Sequence, residues 1–186
     1  MERGKPYIVG MQEFAAIYDV QSQMIRQWLH RGALDAETAI VVSGQLYWPL
    51  GFAAGYGETT PRRKTLNEAA LQELVEQQEP GWMPQTKAEL PAIVGQQEIV
   101  AMFDLPSQPT LVMAVETGRF VAADWRLGGS GGLWLLDTVL ETVPDLQASA
   151  RTLSWVPNPD VVAALRAGRY EGPGSVVLSR GRAAKK

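Results

Sequence analysis

The chain has 186 residues, 46% of them hydrophobic, with a formal net charge of −3, no cysteine and one histidine, His30. That composition excludes a wholly disordered chain, disulfides and thiol chemistry, and it argues against a His-based metal cluster or a Ser-His triad. No apolar run nears the roughly 18 residues that span a bilayer, so no membrane partner is expected.

The opening "MERGKPYIVG" lacks the apolar core of a signal peptide, which predicts a cytoplasmic protein. From Pro6 the chain reads "PYIVGMQEFAAIYDVQSQ", and from Pro91 it reads "PAIVGQQEIVAMFDLPSQ". Ten of those eighteen positions are identical. The repeat divides the chain into copy one over 1–57, a connector over 58–90, copy two over 91–144, and a C-terminal helix with a basic tail over 145–186.

In copy one, Phe14, Ile17 and Tyr18 share one helical face, with the small Ala15 beside them. The pattern breaks at Asp19-Val20-Gln21. Ser22 reads as the N-cap of a second helix with Met24 or Ile25, Trp28 and Leu29 on its apolar face, closed by Gly32. Helix, short turn, helix leaves room only for a steep crossing, with Ala15 at the contact and Val20 plugging the turn. "AIVVSGQLYW" follows as two β-like runs about Ser43-Gly44-Gln45, a hairpin. "WPLGFAAGYG" then reads as a helix.

The connector carries "TLNEAALQELVEQQ", helical in spacing, with Thr65 as N-cap and Glu68 completing a capping box. Pro80, Gly81 and Pro84 end it. Copy two keeps Glu98, Asp104, Leu105 and Ser107, a glycine-rich hairpin "DWRLGGSGGLW", and a helix at "LLDTVLETV". The offset between copies grows from 85 to 86, which places one extra residue between the serine and the tryptophan. In the extension, Asn158 reads as N-cap, Pro159 as the first helical residue and Gly168 as the stop. "GPGSVVLS" reads as a turn and strand, and "RGRAAKK" as a solvated tail.

Glu13, Ala15, Val20, Ser22, Ile25 and Trp28, with the hairpin and helix after them, make residues 8–56 similar to the MerR and excisionase winged helix-turn-helix family. Asp19 stands where that family usually has glycine. The resemblance implies a mainly α fold with small β-hairpin wings (α+β), a tandem winged helix-turn-helix. It further implies sequence-specific binding to double-stranded DNA by a small transcriptional regulator or an excisionase- or partition-type accessory factor. Two copies on one chain mimic a dimer reading two half-sites.

The second helix of copy one offers Gln21, Ser22, Gln23, Arg26, Gln27, His30 and Arg31, with no acid. Arginine pairs with guanine edges, glutamine with adenine, and serine or arginine with phosphates. Ser43 and Gln45 on the hairpin are candidates for a second groove or for phosphates. "PRRK", with Arg62, Arg63 and Lys64, and the tail "RGRAAKK" either clamp phosphates or supply solubilising charge. In copy two, Leu111, Val112, Met113 and Val115 make the second helix apolar on several sides, and Glu116 adds an acid. Such a helix is expected to pack on a surface rather than read bases. Copy two or the C-terminal helix is therefore the candidate surface for a homodimer or for docking on copy one.

The tryptophans, including Trp28, Trp48, Trp125 and Trp134, read as core. "GGSGG" reads as a wing tip, since it lacks the Lys-Ser/Thr of a phosphate loop. No carboxylate pair, metal spacing or nucleophile elbow stands out, so neither catalysis nor a cofactor is expected. The alternative to DNA reading is a protein-interaction or structural adaptor built on the same fold, which the acidic balance favours.

Overall fold

A computed structural model describes residues 4–177. The fold is mixed α and β, with short strands in small sheets. Among the described residues no helix is long and apolar enough to cross a membrane.

Copy one begins with β1 (Lys5–Pro6) and β2 (Ile8–Val9), then α1 (Met11–Ala16) and α2 (Ser22–His30). A 3-10 turn at Ala36–Thr38 leads to β3 (Ile40–Val42), β4 (Gln45–Pro49) and α3 (Leu50–Thr59). β3 and β4 form the antiparallel hairpin expected from the sequence, and β2 pairs on the far side of β4. The hairpin turns at Ser43 and Gly44, both with positive φ (+47° and +76°). A two-residue turn of that hand matches the right-handed twist of the strands it joins.

Gln21, not Ser22, is the N-cap of α2, and it makes no side-chain cap bond. The helix takes Ser22 as its first residue. In the connector, α4 spans Glu68–Gln78. Its cap is Asn67 rather than Thr65, because the Asn67 carboxamide reaches the N–H of Ala70 at 3.0 Å. Leu74 is buried, and Leu66, Ala70, Leu71 and Val75 lie against the copy-one core. Gln78 fixes this helix by a buried two-way bond to the backbone of Ile8, at 2.9 and 2.8 Å. β5 (Gly81–Trp82) then pairs in parallel with β1.

Copy two repeats the order. β6 (Ile93–Val94) is followed by α5 (Gln96–Phe103), α6 (Gln108–Glu116), β7 (Trp134–Leu135), α7 (Leu136–Glu141) and α8 (Val143–Ala148). β6 pairs with β7 as β2 pairs with β4. The second hairpin is reduced to the bridge Trp125–Leu133. α9 (Pro159–Arg166) starts as expected, with Asn158 accepting from the N–H groups of Asp160 and Val161. Its apolar side (Val161, Val162, Leu165) packs on the copy-two core. Among the described residues, 172–177 form a turn without a strand. The tail "RGRAAKK" lies outside the described residues.

The extra residue of copy two sits elsewhere than the serine spacing implies. Asp19, in the turn that follows α1, and Asp104, at the end of α5, both have left-handed backbone, φ +53° and +50°. Gly32 and Gly118 close the second helices, both at φ +74°. The first pair keeps the offset of 85 and the second has 86, so the insertion falls in the turn. There copy two reads Leu105-Pro106-Ser107 against Val20-Gln21. Burial agrees: Leu111 and Ala114 occupy the places of Ile25 and Trp28.

Each copy has its own core. In copy one, Phe14 meets Trp48 and Tyr56 edge-on at 5.2 and 5.5 Å. In copy two, Phe103, Phe120 and Trp155 cluster, with Phe120 edge-on to Trp134 at 5.9 Å. A third cluster joins the copies: Ile8, Val42 and Tyr47 from one, and Ile93, Trp125, Leu127 and Leu133 from the other. Six of its seven members lie at corresponding places of the repeat, Ile8 with Ile93, Val42 with Leu127 and Tyr47 with Leu133, at offsets of 85, 85 and 86, because the register steps back by one residue ahead of the second hairpin; Trp125 has no buried counterpart in the cluster. An interface built from the same positions on both sides is what a two-fold dimer has, here within one chain.

Candidate nucleic-acid interface

α2 lies on the outside of copy one. Ile25 and Trp28 turn inward and are buried. Gln21, Gln23, Arg26, His30 and Arg31 are exposed, and Ser22 and Gln27 are half-buried. The exposed side carries no acid, so among the described residues nothing on α2 itself cancels Arg26 and Arg31. Among the described residues neither arginine makes an ion pair.

The segment after α3 returns to this face. The N–H of Lys64 bonds to the carbonyl of Gly57 at 2.9 Å. The Lys64 ammonium then sits 4.8 Å from the ring centre of Trp28. A cation over an indole at that range gains about 0.5–1 kcal/mol. Beyond Lys64, Asn67 bonds to the carbonyl of Ile17 at 2.7 Å and to the Asp19 carboxylate at 2.8 Å. Lys64 is thus held against α2, and Arg62 and Arg63, the two residues before it, are exposed. The contact brings the 61–64 stretch to α2 from more than thirty positions along the chain.

The close approach depends on Gly57. A Cβ there would lie 2.7 Å from the Lys64 carbonyl oxygen and 2.7 Å from Tyr18 Cε1. Tyr18 stays in place by bonding the Ala53 carbonyl at 2.5 Å and receiving the Gly57 N–H at 2.8 Å. Burial pushes its phenol above the ordinary tyrosine value.

The hairpin residues bond to the other copy. Ser43 and Gln45 line a small cleft together with Gln96, Gln97 and Ser130. The N–H and hydroxyl of Ser43 both reach the Glu98 carboxylate, at 2.6 and 2.8 Å, and its hydroxyl accepts the Gln97 N–H at 3.1 Å. Gln45 donates its side-chain amide to the carbonyl of Gly129 at 2.9 Å. Both are spent on the other copy, because the hairpin tip lodges against the start of α5. The N–H of Gly44 is also taken, by the carbonyl of Gly174 at 2.9 Å.

The mirror contact is present. Glu13 on α1 accepts the N–H of Gly128, at the tip of the second hairpin, at 2.6 Å. Glu13 and Glu98 are equivalent, as are Ser43 and Gly128. Each glutamate also accepts the N–H at the start of its own helix, from Gly10 at 3.1 Å and from Gly95 at 3.4 Å. Both glutamates recur at the same place in the repeat. The bond across copies has no sequence signal beyond their recurrence with Gly10 and Gly95.

α6 is the counterpart of α2. At the places of Arg26, Gln27 and His30 it carries Val112, Met113 and Glu116. Only Leu111 and Ala114 are buried. The expectation that this helix packs on another surface is not met within the chain: Val112 and Val115 are half-buried and Met113 is 59% exposed. Contact between the copies runs through the hairpins instead.

No protein-family model, curated protein or solved structure matches this chain.

Proposed function

We propose that the chain is a tandem winged helix-turn-helix that binds double-stranded DNA through copy one, as a small transcriptional regulator or an excisionase- or partition-type accessory factor. The observation that carries this reading is Lys64 over Trp28. It brings the 61–64 basic stretch to α2, whose exposed side carries no acid, and this supports a reading in which base-reading side chains and phosphate-holding cations act together. Arg26, Gln23 and Gln27 contact base edges in this reading. Arg31, Arg62, Arg63 and Lys64 hold the backbone. The hairpins join the two copies, and copy two does not read bases.

The test is selection of bound duplexes from a random DNA pool, followed by titration of the winning sequence. Arg26→Ala should weaken that complex by about 1–3 kcal/mol and relax one position of the site. A pool that enriches nothing, together with passage through a DNA column at low salt, would remove the DNA reading.

The adaptor reading keeps one observation in its favour: the exposed apolar face of α6 is suited to protein and not to phosphate. The same column separates the two, since an adaptor flows through.

A further inference from the structure

α6 and the glycine-rich hairpin of copy two enclose a cleft of about 400 Å³. Its floor is Leu111, Val112, Val115, Ala123 and Trp134. Glu116 stands on the helix side and Arg126 on the hairpin side. Both are exposed, and among the described residues neither makes an ion pair. Met113, on the same helix but outside the cleft lining, is 59% exposed. An apolar hollow and an apolar knob carried by one helix, with one unpaired acid and one unpaired base at the hollow, have the features of a self-complementary patch.

We propose that this face is where a second copy of the chain binds, in a closed two-fold pair. Each Met113 enters the other chain's cleft, and each Glu116 meets the other chain's Arg126. Two-fold pairing satisfies both charges of both chains at once, which a partner of single charge sign does not. It also ends the association at two, because the same patch is used on each side. The residues that took α6 away from base reading are then the ones that hold the pair together. On the proposed DNA reading, the pair presents two copies of α2, one from each chain, and restores the two half-sites that the repeat itself does not supply.

Sedimentation equilibrium of the full chain without DNA tests this. Wild type should fit a monomer–dimer equilibrium, and Met113→Asp should be monomeric with an unchanged circular-dichroism spectrum. Glu116→Arg should weaken the dimer at least tenfold, and Glu116→Arg with Arg126→Glu should restore it. A monomer at all concentrations overturns the proposal, as does a dimer that Met113→Asp and Glu116→Arg leave intact. A monomer that gains mass only on duplex DNA also overturns it, and makes DNA the cover of this face. Because mass is read without DNA, loss of the dimer leaves the copy-one reading standing, and loss of DNA retention leaves the dimer standing.

Discussion

Glu98, at the start of the second repeat's first helix, receives both the N–H and the hydroxyl of Ser43 at the tip of the first repeat's hairpin, at 2.6 and 2.8 Å. Glu98 is only 3% exposed. The equivalent Glu13 makes a single bond to the backbone of Gly128, near the surface. The two junctions share a design and differ in burial, so their costs should differ. Glu98→Ala strands three donors, the N–H and hydroxyl of half-buried Ser43 and the N–H of buried Gly95, and should destabilise by about 1–3 kcal/mol. Glu13→Ala strands the exposed N–H of Gly128 and the N–H of Gly10 and should cost less, about 1 kcal/mol. Urea unfolding of both variants checks the order. Equal losses would mean that burial does not set the strength of this contact.

The same carboxylate gives stability a pH dependence. Burial pushes the Glu98 carboxyl above the ordinary glutamate value, and the bonds from Ser43 and Gly95 pull it partly back. The native carboxyl then binds its proton more tightly than the unfolded one, so the folded chain holds more protons across the window between the two values. This residue's contribution is full below the unfolded value and is lost as pH rises through the native one. Other carboxylates titrate nearby in pH, so the effect is read as a difference. Relative to wild type, Glu98→Gln should lack this slope between neutrality and mild acid. Ser43→Ala removes a donor to the charged form, raises the native value further and should widen the window. Parallel curves for wild type and Glu98→Gln would contradict this account.

What the sequence told of the fold was local. Gly32, the Ser43-Gly44 turn and the Asn158-Pro159 helix start each act within a few residues, and each stands where its chemistry predicts. Caps slipped where two polar residues competed: Asn67 took the role read for Thr65, and Ser22 fell inside α2. The inserted residue was misplaced because matching Ser22 to Ser107 ignored that Pro106 lengthens the turn. For the candidate site, the exposed side of α2 followed from helical periodicity. The link from Trp28 to Lys64, and the capture of Ser43 by Glu98, join residues far apart in sequence. No periodicity carries that information, and only packing decides it.

The basic stretch at 62–64 and the residues of α2 should separate in their salt response. Replacing Arg62 and Arg63 by alanine removes cations that touch no base in the proposed reading. Affinity should fall for every duplex alike, and the slope of log K against log salt should flatten by about 0.9 for each phosphate no longer neutralised. Arg26→Ala should instead weaken the selected duplex more than a random one. Fluorescence anisotropy at several salt concentrations measures both. A sequence-dependent loss from the 62–63 change would move those arginines into a groove.

Gly57→Ala tests whether the two basic stretches act as one patch. Gly57 lies inside α3, where alanine is ordinarily the better helix former by about 1 kcal/mol. Here the added methyl meets the Lys64 carbonyl and the Tyr18 ring, both at 2.7 Å. Backbone cannot yield as a flexible side chain does, so the segment carrying Lys64 must lift away from Trp28. Overpacking of this kind costs about 1–3 kcal/mol, enough to outweigh the helix gain. The substitution should therefore lower stability, and it should also reduce DNA affinity although position 57 is buried and uncharged. Trp28 fluorescence reports the detachment of Lys64, although five other tryptophans contribute background. If affinity is unchanged while stability falls, residues 61–64 do not act with α2, and the cations of the proposed interface reduce to those on the helix itself.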